Sequence, residues 1–309
     1  MSRKVVAPTY GAPEVLQVVE FEGAAPTSGD VAVEVRAIGV NPFDYKLYSG
    51  AFGSDESDLP ISIGGEAAGT VTAVGPDVTG IAVGDEVIVN PGNGLYADRV
   101  VVPESSLTLK PASVSWEEAA GLLLVGGTAV DALDAIAVGS TDTVLIHGAS
   151  GGVGALAVQL AVARGATVIG TAGAANQDYV RSLGATAIVY GDGLLDRVRD
   201  SAPNGVDAAF DTVGTDEAVD VSLEAVSDRK RIVSIVAFGR AASDGFLTVG
   251  GGNPDSADVR AKARQELVER AASGALTVKI AKTFPLTDAA QAHTELQGAH
   301  PAGKFILIP

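Results

Sequence analysis

Residues 141–154 read Thr-Asp-Thr-Val-Leu-Ile-His-Gly-Ala-Ser-Gly-Gly-Val-Gly, a short apolar run, Val144-Leu145-Ile146, that ends in a glycine-rich turn. The turn leads straight into an apolar helical pattern, Ala155 to Arg164. Strand, glycine turn and helix in that order make the first half of a dinucleotide-binding unit. Small residues at Ala149, Gly151, Gly152 and Gly154 let the chain turn tightly and let its backbone approach a pyrophosphate. The start of the helix then offers N–H groups without intrahelical partners, at the positive end of the helix dipole. The pattern is Ala-x-Gly-x-x-Gly, with Ala149 where the first glycine usually stands. Alone such a turn can be merely structural; the strand before it and the helix after it favour nucleotide binding.

Working outward, strand and helix signals alternate downstream. Strands are predicted near 143–147, 166–171, 186–190, 206–211 and 230–236, and helices near 152–164, 176–183, 194–201 and 216–226. Alternating units of this length predict an α/β fold, a parallel sheet with helices on both faces. Residues 239–256 are glycine-rich and read as irregular. A helix near 257–273 follows, then a strand from Val278 to Phe284, a helix capped by Thr287, and a last strand from Phe305 to Ile308. These elements lie outside the alternating block and are expected to return to the first domain.

Upstream, Ser115 and Glu118 form a capping box before a helical stretch from Trp116 to about Val138, with a break expected at Gly126-Gly127. Residues 1–110 look β-rich. Val31, Val33 and Val35 alternate with Ala32, Glu34 and Arg36, and similar runs occur near 15–21, 68–74, 86–90 and 98–102. Turn signals separate them, as in a compact barrel-like domain. The expected division is a β-rich domain of residues 1–115 and 252–309, and a nucleotide-binding domain of residues 116–251.

Composition agrees. A chain of 309 residues suits two domains, and 47% apolar residues can fill their cores. With no cysteine, disulfides, thiolate zinc sites and cysteine nucleophiles are excluded. The three histidines, His147, His293 and His300, are too scattered to suggest a metal cluster. The net charge of −17 repels phosphate backbones, so no nucleic-acid partner is expected. An anionic cofactor must then be held by local dipoles. The Met1–Pro8 segment shows no signal-like apolar region, and the longest apolar run, Ala119 to Val130, is too short to span a bilayer. A soluble cytoplasmic protein without membrane contact is the expectation.

Several segments in order carry a family resemblance: Val40-Asn41-Pro42-Phe43-Asp44, Gly64-Gly65-Glu66-Ala67-Ala68-Gly69-Thr70-Val71, Val83-Gly84-Asp85-Glu86-Val87, Gly127-Thr128-Ala129, the glycine turn, Leu183-Gly184-Ala185 and Gly303-Lys304-Phe305. Over nearly its whole length the chain resembles the zinc-independent quinone oxidoreductase branch of the medium-chain dehydrogenase/reductase superfamily. The resemblance implies a Rossmann-type doubly wound parallel sheet plus a β-rich GroES-like catalytic domain. It also implies a cleft for NADPH and substrate, and a homodimer. Zinc-dependent relatives carry a cysteine and a histidine where this chain has Asn41-Pro42-Phe43-Asp44 and Gly64-Gly65-Glu66. Catalytic zinc needs about three protein ligands, so no zinc is expected.

Hydride transfer needs a bound nicotinamide, an open face for substrate, and water kept out. Ala149, Ser150, Gly151, Gly152 and Val153 form the expected pyrophosphate turn, with backbone N–H groups of Gly151, Gly152 and Val153 as donors. Val213, Val236, Ala237 and Phe238 lie at the ends of the fourth and fifth strands, where such a sheet places its ligand. Val236 and Phe238 are equally read as core. After the second strand, Thr171 and Ala172 occupy the place that reads the adenosine ribose. No acid stands in Gly170-Thr171-Ala172-Gly173, which favours NADPH over NADH. By resemblance a lysine for the 2′-phosphate belongs near Gln177, leaving Asn176, Arg181 and Tyr190 as candidates and a weaker preference.

By resemblance Asn41 stands near the reacting carbonyl or the nicotinamide ribose, and otherwise reads as a turn residue before Pro42. Thr128 approaches the nicotinamide or makes an internal helix bond. Asp44 reads as a helix cap. Tyr45 and Tyr48 face the site or pack beneath their helix, and Tyr45 is the catalytic candidate of the two. Lys304 approaches the cofactor or is solvated. Some enoyl-reducing relatives carry a proton-donating tyrosine where this chain has Phe52 after Gly50-Ala51. The leading expectation is NADPH-dependent reduction of a quinone or similar conjugated carbonyl. A 2-alkenal or enone reductase, or a non-catalytic NADPH-binding protein, are the alternatives.

Overall fold

The computed structural model describes residues 1–250 and 252–309. Along the chain come β1 (Ser2–Ala7), β2 (Gln17–Phe21), β3 (Asp30–Val40), α1 (Pro42–Tyr48), β4 (Ile61–Ser62), β5 (Ala67–Val74), β6 (Glu86–Val89), β7 (Arg99–Pro103) and β8 (Leu107–Leu109). Helices α2 (Trp116–Ala120) and α3 (Leu123–Ala135) lead to β9 (Thr143–His147), α4 (Gly152–Ala163), β10 (Thr167–Ala172), α5 (Gln177–Ser182) and β11 (Thr186–Val189). Then follow α6 (Leu194–Ser201), β12 (Ala208–Asp211), α7 (Asp216–Ala225), β13 (Ile232–Ser234), α8 (Phe238–Asp244) and β14 (Leu247–Thr248). The chain finishes with α9 (Pro254–Ala272), β15 (Ile280–Pro285), α10 (Ala289–Gln297) and β16 (Lys304–Ile308). Two compact units result: Met1–Leu124 with Val268–Pro309, and Val125–Leu267.

In the second unit six parallel strands are ordered β11-β10-β9-β12-β13-β14. The chain winds outward from β9 in one direction, then returns to its other side. This is the doubly wound order, and its direction reverses at the C-terminal ends of β9 and β12. Val144, Leu145 and Ile146 pair with Ala208, Ala209 and Phe210, and all six side chains are fully buried. Burial on both faces explains why these runs are continuously apolar rather than alternating.

Three expectations need correction here. The break foreseen at Gly126-Gly127 falls at Gly121 instead, whose N–H closes α2 on Glu117 O at 3.1 Å. Gly126 and Gly127 lie inside α3, with neighbouring side chains packed close over both. A Cβ at Gly126 would stand 3.1 Å from Leu267, and one at Gly127 3.4 Å from Arg260. The stretch read as irregular, 239–256, holds most of α8, all of β14 and the start of α9, while Gly251 within it lies outside the described residues. Two-residue strands and a helix reading Phe-Gly-Arg-Ala-Ala-Ser-Asp have too little periodicity to be seen. Finally, α9 stays with the second unit as far as Leu267, and α2 belongs to the first. Arg260 on α9 reaches Asp131 on α3 at 2.9 Å, and this pair helps fix α9 against α3.

The first unit contains a sheet ordered β15-β16-β3-β5-β6-β8, with β7 also on β3, and a smaller sheet β2-β1-β4. Long β3 is central: Val31, Val33 and Val35 point into the core, and Glu34 and Arg36 point to solvent. The C-terminal strands return to it, Phe305 pairing with Val40. Thr287 does not cap α10. It lies in a 3-10 turn, its hydroxyl donates to Asp288 at 3.2 Å, and the helix starts at Ala289 without a side-chain cap.

Candidate functional site

In the second unit the turn after β9 is shaped by Gly148, which the sequence pattern passed over. Its φ of +73° is left-handed, and a Cβ there would collide with the Thr212 hydroxyl. Gly154 allows the next close approach, since a Cβ on it would overlap Gly148 O. Ala149 is buried against Gly170, where a Cβ would come 2.8 Å from that of Ala149. The donors are not quite those expected. Gly151 spends its N–H on Gly148 O at 2.9 Å and becomes the N-cap of α4. No side chain caps α4, so Gly152 and Val153 head the helix with N–H groups that its own ladder does not use. Ser150 accepts from the Asn176 amide at 3.4 Å, which ties the turn to the segment after β10.

Around this turn, side chains work on loops. Thr171 is buried, and its hydroxyl accepts from Gly148 N–H and lies 3.3 Å from His147 Nδ1. It thereby braces the turn. Gln177, at the expected lysine place, is also buried and donates to Ala172 O at 2.8 Å and Ile188 O at 3.2 Å, stitching β10 to β11. Tyr190 is exposed with its ring near Gly173, and Asn176 is half-buried beside Ser150. Arg181 pairs with Asp178 at 2.7 Å on α5.

Sequence reasoning missed Asp211 and Ser234. Buried Asp211 Oδ1 accepts Val213 N–H at 2.8 Å and Gly214 N–H at 2.9 Å, and its Oδ2 accepts the Ser234 hydroxyl at 2.7 Å. Ser234 Oγ accepts Val236 N–H at 3.1 Å and Ala237 N–H at 2.9 Å. These two residues set both loops at the strand ends. An acid closing a wholly apolar strand run was the available signal. Phe238 is 45% exposed, which removes the core reading for it, and Val236 packs over Gly214. His147 is buried, Nε2 has no hydrogen-bond partner among the described residues, and burial lowers its pKa to about 4 against the pull of Asp211. It is a neutral core histidine. Thr128 is buried within α3, inside a continuous helix.

In the first unit, Asn41 opens α1 at the end of β3 and is buried. Lys304 brings its ammonium to Asn41 Oδ1 at 2.6 Å, Glu66 Oε1 at 2.8 Å and Val40 O at 3.1 Å. Its three protons are thereby spent, so Lys304 is neither solvated nor free for a cofactor. Glu66 Oε1 also accepts the Asn41 amide at 3.1 Å, and Oε2 accepts Leu124 N–H at 3.0 Å. Gly39 makes room: a Cβ there would strike Glu66 and Ala120 O. An ammonium only donates, so the Asn41 amide orientation is fixed, with Oδ1 on Lys304 and Nδ2 on Glu66 and Gly39 O.

Asp44 is fully buried; Oδ2 accepts Asn41 N–H at 2.8 Å and the Tyr96 hydroxyl at 3.1 Å. Burial pushes its pKa up to about 7 against these bonds and nearby Lys304. Tyr48 is fully buried, as one reading of it held, while Tyr45 is half-buried with its ring edge-on to His293 at 6.5 Å. Burial raises the Tyr45 pKa, so it keeps its proton. Phe43 and Phe52 are both about half exposed, with ring centroids 5.6 Å apart.

Among the described residues no group of three or more His, Asp or Glu side chains is placed to hold a metal, and no helix is long and apolar enough to cross a membrane. A family model described as an alcohol dehydrogenase GroES-like domain matches residues 27–112, and one described as a zinc-binding dehydrogenase matches residues 183–307. A quinone oxidoreductase of Salmonella typhimurium is 34% identical over the full length of both chains. The crystal structure of Escherichia coli quinone oxidoreductase complexed with NADPH is 31% identical, has a TM-score of 0.89, and is covered completely by 99% of this chain. An NADPH-dependent alkenal/one oxidoreductase of Arabidopsis thaliana is 29% identical over 97% of this chain and 78% of its own length. The chain belongs to the quinone oxidoreductase branch of the medium-chain dehydrogenase/reductase superfamily. It is an oxidoreductase of that superfamily, built from a Rossmann-type unit and a GroES-like unit.

Proposed function

We propose that this protein reduces a quinone or a similarly conjugated carbonyl with NADPH and without zinc. The observation that carries the reading is the Gly148–Gly154 turn at the switch point of a doubly wound sheet, with Gly152 and Val153 N–H groups uncommitted at the head of α4. The turn fits a dinucleotide pyrophosphate, since Gly148 and Gly154 let its backbone come closer than a side chain would allow. Bound NADPH supplies the hydride. The chain supplies orientation and exclusion of water.

Asn41 acts on the nicotinamide ribose rather than on the reacting carbonyl. Its amide protons are engaged by Glu66 and Gly39, but Oδ1 keeps one lone pair beyond the Lys304 bond and can accept a ribose hydroxyl. Lys304 therefore serves through Asn41. Thr128 lies on the nicotinamide side, Tyr45 is the phenol nearest Asn41 along α1, and Val213, Val236, Ala237 and Phe238 line the cofactor. Thr171 and Ala172 form the adenosine end, with Asn176 and Tyr190 the polar groups for a 2′-phosphate; a weak preference for NADPH follows from Gln177 being buried where a lysine would bind.

Zinc does not fit. Asn41 and Gly65 stand where zinc-dependent relatives carry ligands, and the chain has no cysteine. A cytoplasmic homodimer completes the reading, by resemblance. A second reading, reduction of an enone or 2-alkenal, is favoured by the Arabidopsis relative and weakened by Phe52, which has no proton to give.

NADPH and NADH oxidation against quinones, 2-alkenals and ketones tests this. A lower Michaelis constant for NADPH and fastest turnover with a quinone are expected. Equal constants defeat the cofactor assignment, and turnover with enals alone replaces the first reading with the second.

A further inference from the structure

Besides the Lys304–Glu66 pair, the core of the first unit buries a chain of polar groups. Tyr48 Oη lies 2.6 Å from His293 Nδ1, Tyr96 Oη lies 2.8 Å from His293 Nε2, and Tyr96 Oη lies 3.1 Å from Asp44 Oδ2. The same Asp44 oxygen accepts the Asn41 backbone N–H at 2.8 Å. Tyr48 and Tyr96 are fully buried, as is His293 on α10. The Tyr48 ring stacks on the imidazole at 5.6 Å with an interplanar angle of 13°, and Tyr96 meets it edge-on at 5.5 Å.

With Asp44 Oδ2 as the acceptor, the rest of the proton order in this chain follows. Asp44 Oδ2 accepts, so Tyr96 gives its single proton there. The Tyr96 oxygen must then accept, which makes His293 Nε2 the donor. Nδ1 is left bare and accepts from Tyr48. The imidazole is neutral in this order, in keeping with burial, which lowers its pKa to about 4. Asp44 is faced by Tyr96, Lys304 and Glu66, and carries a buried Oδ1 with no partner among the described residues.

We propose that Tyr48, His293 and Tyr96 are positioning residues that hold Asn41 through Asp44. Phenylalanines would fill the same volume without the cost of burying hydroxyls and an imidazole. The polar chain ends instead on the backbone of the one residue whose side chain Lys304 and Glu66 hold from the other end. Asn41 is thereby clamped at backbone and side chain by segments far apart in the sequence. A buried hydrogen-bonded network of this kind favours a single geometry. The inference rests on Asn41 being the nicotinamide-side residue.

Three measurements decide it. Nitrogen-15 spectra of histidine-labelled protein should show His293 as the neutral Nε2–H tautomer at neutral pH; an Nδ1–H tautomer or an imidazolium overturns the chain. Amide hydrogen exchange at Asn41 should accelerate at least about tenfold in Tyr96→Phe and His293→Phe, with β9 unchanged. Unaltered protection overturns the clamp. In turnover, His293→Phe should lower kcat about tenfold with little change in the NADPH Michaelis constant, because hydride geometry and not adenosine binding is lost. His293→Gln, whose amide can both donate and accept, should recover most of it. An unchanged kcat in a stable His293→Phe, or no recovery by glutamine, reduces the chain to a structural role. If His293→Phe does not fold, Tyr96→Phe, which lacks one oxygen atom, carries the same tests. If the parent protein oxidises no NADPH, the functional reading fails, while tautomer and exchange still decide the clamp.

Discussion

The two units build their proposed cofactor contacts from opposite materials. At the β9–α4 turn the second unit offers backbone, and its side chains Thr171, Asp211 and Ser234 only hold loops in place. At Asn41 the first unit offers side chains, held by an internal ion pair and a polar chain. The backbone site depends on which side chains are absent, since at Gly148 and Gly154 a Cβ would collide. The side-chain site depends on every partner being present. The second should therefore break more steeply when one atom is removed.

The steepest break is expected at Glu66→Ala. It strands the Lys304 ammonium in the core and should cost about 3–5 kcal/mol of unfolding free energy, read by denaturant titration. A loss below about 1 kcal/mol would mean that the pair behaves like a surface one. Next comes a pH effect at Asp44. Its pKa is about 7 in the folded chain against an ordinary 3.8, so the fold binds a proton that the unfolded chain has released in that window. Its contribution is present below pH 4 and is lost as pH rises through 7. His293 and His147 run the other way: folded values of about 4 against 6.5 give stability that is present above 6.5 and lost as pH falls toward 4. The opposing trends partly cancel in the parent. Asp44→Asn removes one of them, so its stability relative to the parent should rise with pH from 4 to 7, by about 1.4 kcal/mol per unit at most. A constant gap across that range contradicts the assignment.

Smaller effects are expected on the other side. Asp211→Ala leaves Val213 and Gly214 N–H groups and the Ser234 hydroxyl without their acceptor, for a loss of about 1–3 kcal/mol together with a raised NADPH Michaelis constant. Stability lost with cofactor affinity intact would detach those loops from binding. Gly148→Ala forces a side chain into a left-handed position, at about 1–2 kcal/mol, and presses on Thr212. Calorimetry should find NADPH binding weakened by about tenfold; unchanged binding would show that the turn yields without consequence.

The same contrast explains what was legible in the sequence. The β9–α4 unit is written in adjacent residues, and periodicity located each strand of the sheet except β14, which has only Leu247 and Thr248 in it. Even so, the pattern missed Gly148 and credited Gly151 with an N–H that it spends locally. The glycines of α3 were read as a break because local rules see their flexibility and not Leu267 or Arg260 pressing on them. Of the Asn41 site, Asn41, Asp44, Tyr45, Tyr48 and Lys304 were singled out beforehand, but not the bonds that join them. Tyr96 and His293 meet Asp44 across long stretches of chain, and no spacing rule relates them. His293 looked like a plain surface or structural residue because its partners are tertiary neighbours.

The contact of Ala149 with Gly170 ties the turn after β9 to the middle of β10 in one shared volume. A Cβ at Gly170 would also come 2.8 Å from Val180 Cγ1, so trimming Ala149 to glycine does not by itself make room for a methyl there. Sequences drifting from this one are therefore expected to keep glycine at position 170 unless the side chains at 149 and 180 both shrink first, an order set by sterics rather than chance.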